Sequence, residues 1–240
     1  MRIGLLETGR TSAELTARHG SFPAMFRVLF GPLAPALEFR DYAALDGELP
    51  ATTRECDAYL ITGSQYGINE RLAWMAPLQD FARAVRADDR RLVGICFGHQ
   101  LLADAFGGSV AKADEGWGVG MQRYDVRASR PWMAPPARSF ANIVLHQDQV
   151  TIPPPEAELL AGNDFCPFAM LQIGANVLTL QSHPELTAAL TAEVLDLRRR
   201  EIGEARAQAA LASLRHENDA ELVAGWLLRF LTAGAEEEMA

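Results

Sequence analysis

Two kinds of hydrophobic pattern alternate along the chain. Short apolar runs rich in β-branched residues predict strands at 2–7, 37–42, 58–62, 91–95, 119–126, 143–145, 168–173 and 177–180. Apolar residues three or four positions apart predict helices at 12–19, 68–87, 97–106 and 186–232, while 22–30 is either a short helix or a loop. This alternation predicts an α/β fold built on an open, mostly parallel sheet with helices on both faces.

The domain organisation follows from the length and from the absence of internal boundaries. A chain of 240 residues fits one to two domains, and it contains no internal repeat and no linker-like stretch. We therefore predict a single domain over 1–240. Its C-terminal segment, at about 186–233, is expected to be helical with a break near 216–219, followed by a short acidic tail at 235–238.

Composition excludes several classes of protein. The 22 basic and 31 acidic side chains give a net charge of −9, which argues against a nucleic-acid partner. No apolar run approaches the ~20 residues that span a bilayer, so we expect no membrane partner. Lys112, the only lysine, does not follow a phosphate-binding glycine loop. Three cysteines cannot all pair in disulfides, which predicts a reducing, cytoplasmic location.

The strongest chemical signal is the segment from Gly94 to Gly98, with Cys96 at its centre. It joins a predicted strand to a predicted helix, and its two glycines allow the sharp turn that exposes a nucleophile. The helix N-terminus also favours a negative charge on the sulfur. Cys56 and Cys166 lack this setting and are expected to be buried structural thiols.

A cysteine nucleophile needs a base, and His183 is the best placed of five histidines. It follows a predicted strand and precedes Pro184, which keeps it out of helical backbone. In extended backbone, residues two apart point to the same side, so Glu185 can reach one ring nitrogen and leave the other for the sulfur. Alternatively, Pro184 and Glu185 simply begin the next helix.

The other four histidines fit the role of base less well. His19 and His216 are expected at the surface, and His99 lies three positions after Cys96 on the same helix, where it reaches poorly over a substrate. His146 ends a predicted strand in a plausible site loop. The spacing of Cys96 and His99 resembles that of metal ligands, but no second pair accompanies it, so we expect no metal and no other cofactor.

An oxyanion intermediate needs N–H donors that are aimed before the reaction. The geometry of the turn makes the backbone N–H of Phe97 one donor. The loop at 61–67 leaves a neighbouring strand and can present the amide of Gly63 or Ser64 as the other, unless it is an ordinary strand-to-helix turn. Such loops meet at the carboxyl ends of strands, where α/β sheets bind ligands.

Taken together, these segments resemble the class I, or triad-type, glutamine amidotransferases. The matching segments are ITGSQYG at 61–67, GICFGHQLLADAFGG at 94–108, LHQDQV at 145–150 and QSHPE at 181–185. Within that family the chain is most similar to stand-alone members akin to the glutaminase part of GMP synthetase and to γ-glutamyl peptidases. The resemblance implies a flavodoxin-like sheet.

The resemblance also implies a Cys-His-Glu triad and its chemistry. Cys96 would attack the side-chain amide of glutamine, form a γ-glutamyl thioester and release ammonia, with His183 as base and acid and Glu185 orienting it. The amides of Gly63 and Phe97 would bind the oxyanion. The residues expected to bind substrate are Ser64, Gln100, Trp117, His146 and Gln147.

Three functions remain open from the sequence. The first is a glutamine-hydrolysing enzyme that hands ammonia to a separate synthetase, since no synthetase domain is visible in this chain. The second is a self-sufficient hydrolase of γ-glutamyl peptides or amides. The third, disfavoured by the intact nucleophile, is a non-catalytic binding module on the same scaffold.

Overall fold

A mixed nine-stranded sheet organises the chain. The computed structural model describes residues 1–233, so the predicted acidic tail at 235–238 lies outside the described residues. The strands are β1 (Arg2–Leu6), β2 (Glu38–Tyr42), β3 (Ala58–Ile61), β4 (Arg91–Ile95), β5 (Ser109–Lys112), β6 (Gly118–Val126), β7 (Ser139–His146), β8 (Asp148–Ile152), β9 (Ala157–Gly162), β10 (Met170–Ile173) and β11 (Val177–Leu180).

The sheet has a parallel half and an antiparallel half. Its strand order is β2-β1-β3-β4-β11-β10-β9-β6-β7, and β5 pairs with β8 in a separate small sheet. The five strands from β2 to β11 run parallel to one another. The remaining neighbours, from β11 to β7, pair antiparallel. The carboxyl ends of β1, β3, β4 and β11 therefore share one edge.

Helices cover both faces of the parallel half, as the sequence predicts. The helices of the described chain are α1 (Ala13–His19), α2 (Phe22–Phe30), α3 (Met75–Ala87), α4 (Phe97–Ala105), α5 (Ala188–Leu197), α6 (Arg199–Ile202), α7 (Glu204–Ser213) and α8 (Ala220–Thr232). Alternate strand residues feed two cores, as the period of two requires. One core joins the sheet to α2 and α8, and the other joins it to α3 and α4.

The alternating pattern located the parallel half well and the antiparallel half less completely. The sequence pattern does not predict β9 in that half, nor β5 and β8 in the separate small sheet. Much of β5 and part of β8 are exposed and lack a long apolar run. The helix expected at 68–87 is split into a 3₁₀ turn at Ile68–Glu70 and α3. Arg71 separates them with a positive φ of 50° that no helix can contain.

The C-terminal segment is helical, as expected, but its parts have different neighbours. Helix α8 buries one face in the core with α2, whereas α7 packs closely on β6. At that contact a Cβ on Gly120 would lie 2.8 Å from Ala210 Cα, and the φ of Gly120 is +83°, so both features require glycine. No helix within residues 1–233 has the length and hydropathy needed to cross a bilayer. The single-domain organisation stays a prediction.

Candidate active site

Cys96 follows β4 directly and caps the N-terminus of α4. Its backbone has φ 51° and ψ −99°, a rare conformation for a residue other than glycine. The turn is tight on both sides. A Cβ on Gly94 would lie 2.5 Å from the Gly98 carbonyl oxygen, and a Cβ on Gly98 would lie 2.6 Å from the Ile61 carbonyl oxygen. The flanking glycines therefore allow β3, β4 and α4 to pack closely around the sulfur.

His183 and Glu185 lie beside Cys96, both almost fully buried. The His183 Nδ1 atom is 2.7 Å from Glu185 Oε1. The imidazole also lies beside Cys96, because His183 Cε1 and Cys96 Cβ are both within 4 Å of the position that a Cβ on Gly63 would occupy. The His183 backbone N–H donates to the Ile143 carbonyl at 2.8 Å, which ties the residue to β7. A Cβ on Gly63 would lie only 2.8 Å from His183 Cε1. The imidazole therefore has little room to move.

Charge raises the pKa of His183 well above its usual value. Burial by itself lowers this pKa, but the adjacent negative charges of Cys96 and Glu185, with their hydrogen bonds, outweigh burial. The raised pKa favours the protonated imidazolium of His183, which holds a proton that a leaving group can take.

The loop after β3 is held by Thr8 at the end of β1. The Thr8 hydroxyl lies 3.0 Å from the Gly63 carbonyl oxygen, and Thr62 Oγ1 lies 3.1 Å from the same oxygen. Ser64 Oγ donates to the Thr8 carbonyl at 2.7 Å. Because a trans peptide places N–H opposite C=O, the Ser64 N–H is directed away from Thr8. These hydrogen bonds hold the peptide between Gly63 and Ser64 in one orientation.

A cavity of about 500 Å³ opens beside the sulfur. Its walls come from the loop after β3, the start of α4, the end of β7, the start of β8 and helix α6. The residues that line it include all five predicted substrate residues together with Cys96 and the residue after it: Ser64, Cys96, Phe97, Gln100, Trp117, His146 and Gln147. This arrangement brings together residues that are far apart in the sequence.

Buried amides connect the sulfur to the cavity. Gln100 Nε2 donates to the Asp148 carbonyl at 2.7 Å and to Gln181 Oε1 at 3.2 Å. Gln181 Nε2 lies 3.5 Å from Cys96 Sγ. Gln181 belongs to the quoted QSHPE segment, yet no role for it was predicted. In extended backbone it shares a side with His183, and that alternation is the signal that could have found it.

The C-terminal helices contribute a wall of the cavity that the sequence did not predict. The Arg198 guanidinium lies 4.4 Å from the centre of the Trp117 ring and forms two hydrogen bonds with Glu201. Arg206 donates to the backbone carbonyls of Trp117 and Glu115, both at 2.6 Å. The helices therefore hold the loop before β6 in place.

Charged groups of both signs face the cavity. Burial raises the pKa of Asp148, and the nearby Lys112 partly opposes this shift. Lys112 lines the same cavity and, among the described residues, forms no salt bridge. His146 Nδ1–H donates to the Asp148 carbonyl at 3.0 Å, and burial lowers the pKa of His146 to about 4. His146 is therefore neutral near neutral pH.

The remaining histidines lie outside this group. His99 is fully buried with Nδ1 2.7 Å from Thr179 Oγ1, and burial lowers its pKa to about 3, so it is a neutral core residue. His19 is half-buried against Glu193, and His216 is exposed. In residues 1–233, no three His, Cys, Asp or Glu side chains form a group that could hold a metal ion.

Comparisons with known proteins bear on the central part of the chain. A family model described as "Glutamine amidotransferase class-I" matches residues 54–197, which contain Gly63, Cys96, His183 and Glu185. Gamma-glutamyl peptidase 3 of Arabidopsis thaliana is 27% identical over 65% of this chain and 66% of its own length. The glutamine-hydrolysing GMP synthase of Marinobacter nauticus is 33% identical over 41% of this chain but only 20% of its own length.

Solved structures share the fold. A glutamine amidotransferase from Thermotoga maritima superposes with a TM-score of 0.74 at 18% identity, covering 96% of each chain. At that identity the likeness extends to the fold only. It includes the mixed sheet with a parallel half and helices on both faces.

Proposed function

Because the chain belongs to the class I glutamine amidotransferase family, we propose that it is a cysteine-dependent hydrolase of γ-glutamyl amide bonds. The observation that carries the proposal is the position of His183, hydrogen-bonded to Glu185 and lying beside Cys96 at an open cavity. Cys96 is the proposed nucleophile, His183 the base and acid, and Glu185 the residue that orients the imidazole.

The first half-reaction forms a thioester. The Cys96 thiolate attacks the γ-carbonyl carbon, a C–S bond forms, and the carbonyl electrons move to oxygen. When this intermediate collapses, the C–N bond breaks and the imidazolium of His183 gives its proton to the leaving nitrogen. Because Nδ1 is bonded to Glu185, Nε2 is the nitrogen left for this transfer.

The second half-reaction releases glutamate. Neutral His183 takes a proton from water, the resulting hydroxide attacks the thioester, and the C–S bond breaks to restore the thiolate. In both halves the Phe97 N–H is one proposed oxyanion donor. The amides of Gly63 and Ser64 are the candidates for the second, and the bonds from Thr8 hold the peptide between them before any substrate arrives.

The amino-acid end of the substrate is proposed to bind at the floor of the cavity. Both N–H groups of the Gln100 amide are already engaged, so its Oε1 is the atom that can accept from a substrate ammonium. The half-buried carboxylate of Asp148 lies in the same cavity and adds a negative charge there. His146, Gln147, Ser64 and Trp117 complete this part of the wall.

Two substrate classes fit this chemistry. Glutamine is the first, with ammonia passed to a separate synthetase, as the similarity to GMP synthase suggests. A γ-glutamyl peptide or amide is the second. The cavity of about 500 Å³ lies within the ~300–1,000 Å³ typical of small-molecule sites, so it leaves room for a group beyond the γ-carbonyl. The likeness to a γ-glutamyl peptidase supports this second class as well. We also propose that the protein is cytoplasmic, as its three cysteines lead us to expect.

A substrate panel tests the function. The isolated chain is offered glutamine, a γ-glutamyl amino acid and a γ-glutamyl alkylamide, and glutamate release is measured by mass spectrometry. We expect turnover of at least one compound, with none in Cys96→Ala and normal turnover in Cys56→Ala, a matched change at another buried thiol. Glutamine turnover that appears only with an added synthetase favours the first class. Peptide turnover by the isolated chain favours the second class. The proposal is rejected if none of the three compounds releases glutamate, with or without an added synthetase.

A further inference from the structure

A second buried side chain touches the sulfur of Cys96. Gln181 is fully buried directly after β11, and its Nε2 lies 3.5 Å from Cys96 Sγ. Its Oε1 accepts from Gln100, which in turn donates to the Asp148 backbone carbonyl. An unbroken line of hydrogen bonds therefore runs from the cavity floor to the nucleophile.

The backbone carbonyl at one end determines the direction of every bond in this line. The Asp148 carbonyl can only accept, so Gln100 must turn its NH₂ group towards it. That same NH₂ group then requires an acceptor on Gln181, which places the Gln181 oxygen towards Gln100. The Gln181 NH₂ group consequently faces Cys96. This assignment follows from the network rather than from the similar shapes of the amide nitrogen and oxygen.

We propose that Gln181 is a positioning residue that holds the Cys96 sulfur as a hydrogen-bond acceptor and thereby favours its thiolate form. The inference rests on the proposed role of Cys96 as nucleophile. A thiolate accepts a hydrogen bond far more strongly than a thiol does, so a fixed N–H donor stabilises the charged form preferentially. His183 lies beside the same sulfur, but its imidazole gains and loses a proton as the pH changes. The Gln181 amide does not titrate, so it remains a donor at every pH.

The arrangement also aligns substrate binding with nucleophile activation. A substrate ammonium bound at Gln100 Oε1 would hold the Gln100 amide in the orientation that directs its NH₂ group to Gln181. The same orientation directs the Gln181 NH₂ group to Cys96. Occupying the cavity floor therefore reinforces the donor at the sulfur instead of competing with it.

The test compares the pH dependence of Cys96 alkylation in the full chain and in Gln181→Met. Methionine keeps most of the side-chain volume and removes the donor. Iodoacetamide labelling is followed by mass spectrometry on the peptide that contains Cys96, which separates it from the two other thiols. Losing a hydrogen bond to a charged group shifts the pKa of that group by about one to two units. We therefore expect the midpoint of alkylation to rise by that amount. At a pH below the wild-type midpoint, labelling should slow by about tenfold or more.

The control is Gln79→Met, at another buried glutamine, whose amide donates at 2.7 Å to Asp104 near the C-terminal end of α4. It should lose stability comparably and leave the midpoint of Cys96 labelling unchanged. If Gln181 has a purely structural role, Gln181→Met will lower the thermal stability of the protein and leave the midpoint of Cys96 alkylation unchanged. That result overturns the inference.

A second variant covers failure of the first to fold. Gln181→Glu keeps the side-chain shape and places an acidic oxygen beside the sulfur, so the midpoint must again rise, and an unmoved midpoint overturns the inference here too. Because alkylation needs no substrate, the two proposals fail separately. A shifted midpoint in a chain that hydrolyses nothing would retain Gln181 and reject the hydrolase.

Discussion

Replacing Gly63 by alanine should damage catalysis through a single added methyl group. The backbone of Gly63 is outside the left-handed region, so alanine does not strain it directly. Its Cβ, however, would lie 2.8 Å from His183 Cε1, whereas ordinary contacts begin at 3.4 Å. The imidazole or the loop after β3 must therefore retreat by at least about 0.6 Å.

The surroundings prevent a harmless adjustment. The His183 ring is bonded to Glu185, and its backbone is bonded to Ile143, so the imidazole cannot retreat without giving up one of these contacts. Movement of the loop instead shifts the amides proposed to bind the oxyanion. Misplacing reacting groups by ~1 Å can cost about a hundredfold in rate, so we expect kcat to fall by roughly ten- to a hundredfold. KM should change little, since Gly63 does not line the cavity.

Steady-state kinetics on the best substrate of the panel measures this effect, with Gly225→Ala as the matched control. In helix α8 the only contact of a Cβ on Gly225 within 4 Å is the flexible end of Arg229, so that variant should keep wild-type kcat. Urea unfolding of both variants checks that they fold, with a loss of about 1–3 kcal/mol expected for Gly63→Ala. A folded Gly63→Ala enzyme with wild-type kcat would refute the geometric argument.

Three further predictions concern the triad, the cavity and the core. Glu185→Gln should retain about ten- to a hundredfold more kcat/KM than His183→Ala, because it disturbs orientation but leaves a base; the reverse order would give Glu185 a direct role. Lys112→Met should raise KM about tenfold for a γ-glutamyl amino acid and barely for the matching alkylamide, which lacks the second carboxylate; equal losses would contradict this. The pKa of His99 falls from 6.5 unfolded to about 3 folded, so the unfolded chain alone takes up its proton on acidification. Stability contributed by neutral His99 is therefore lost below about pH 6.5, and from there to about pH 5 the loss is about 2 kcal/mol. His99→Asn should remove that part of the pH dependence in urea unfolding, and an identical dependence in both proteins would show that His99 is not buried neutral.

Local sequence patterns predicted the parts of the site that depend on neighbouring residues. The glycines around Cys96 predict a tight turn, and in the structure a Cβ at either Gly94 or Gly98 would collide with backbone atoms. The His-Pro-Glu order places Glu185 on the same side as His183, where their side chains are 2.7 Å apart. Both outcomes follow from the backbone conformation of a few residues, which the types of the neighbouring residues largely determine.

Contacts between segments that are distant in the chain could not be predicted from the sequence. Nothing near Arg198 indicates that its guanidinium stacks on Trp117, and the apolar spacing of the C-terminal helices only predicted burial against some surface. Likewise, the approach of Gln181 to Cys96 depends on β11 pairing with β4 in one particular register. A shift of one residue would turn Gln181 to the opposite face of the sheet.

The amino-acid sequence by itself determined the elements of the parallel half, the turn at Cys96 and the short non-helical segment that carries His183 and Glu185, because periodicity and backbone preferences act over a few residues. Only the tertiary structure decided how the antiparallel strands extend the sheet, which helices wall the cavity, and that His99 sits in the core while His183 reaches the sulfur. Those outcomes depend on strand register and on packing between segments far apart in the chain, where many arrangements satisfy the same local pattern.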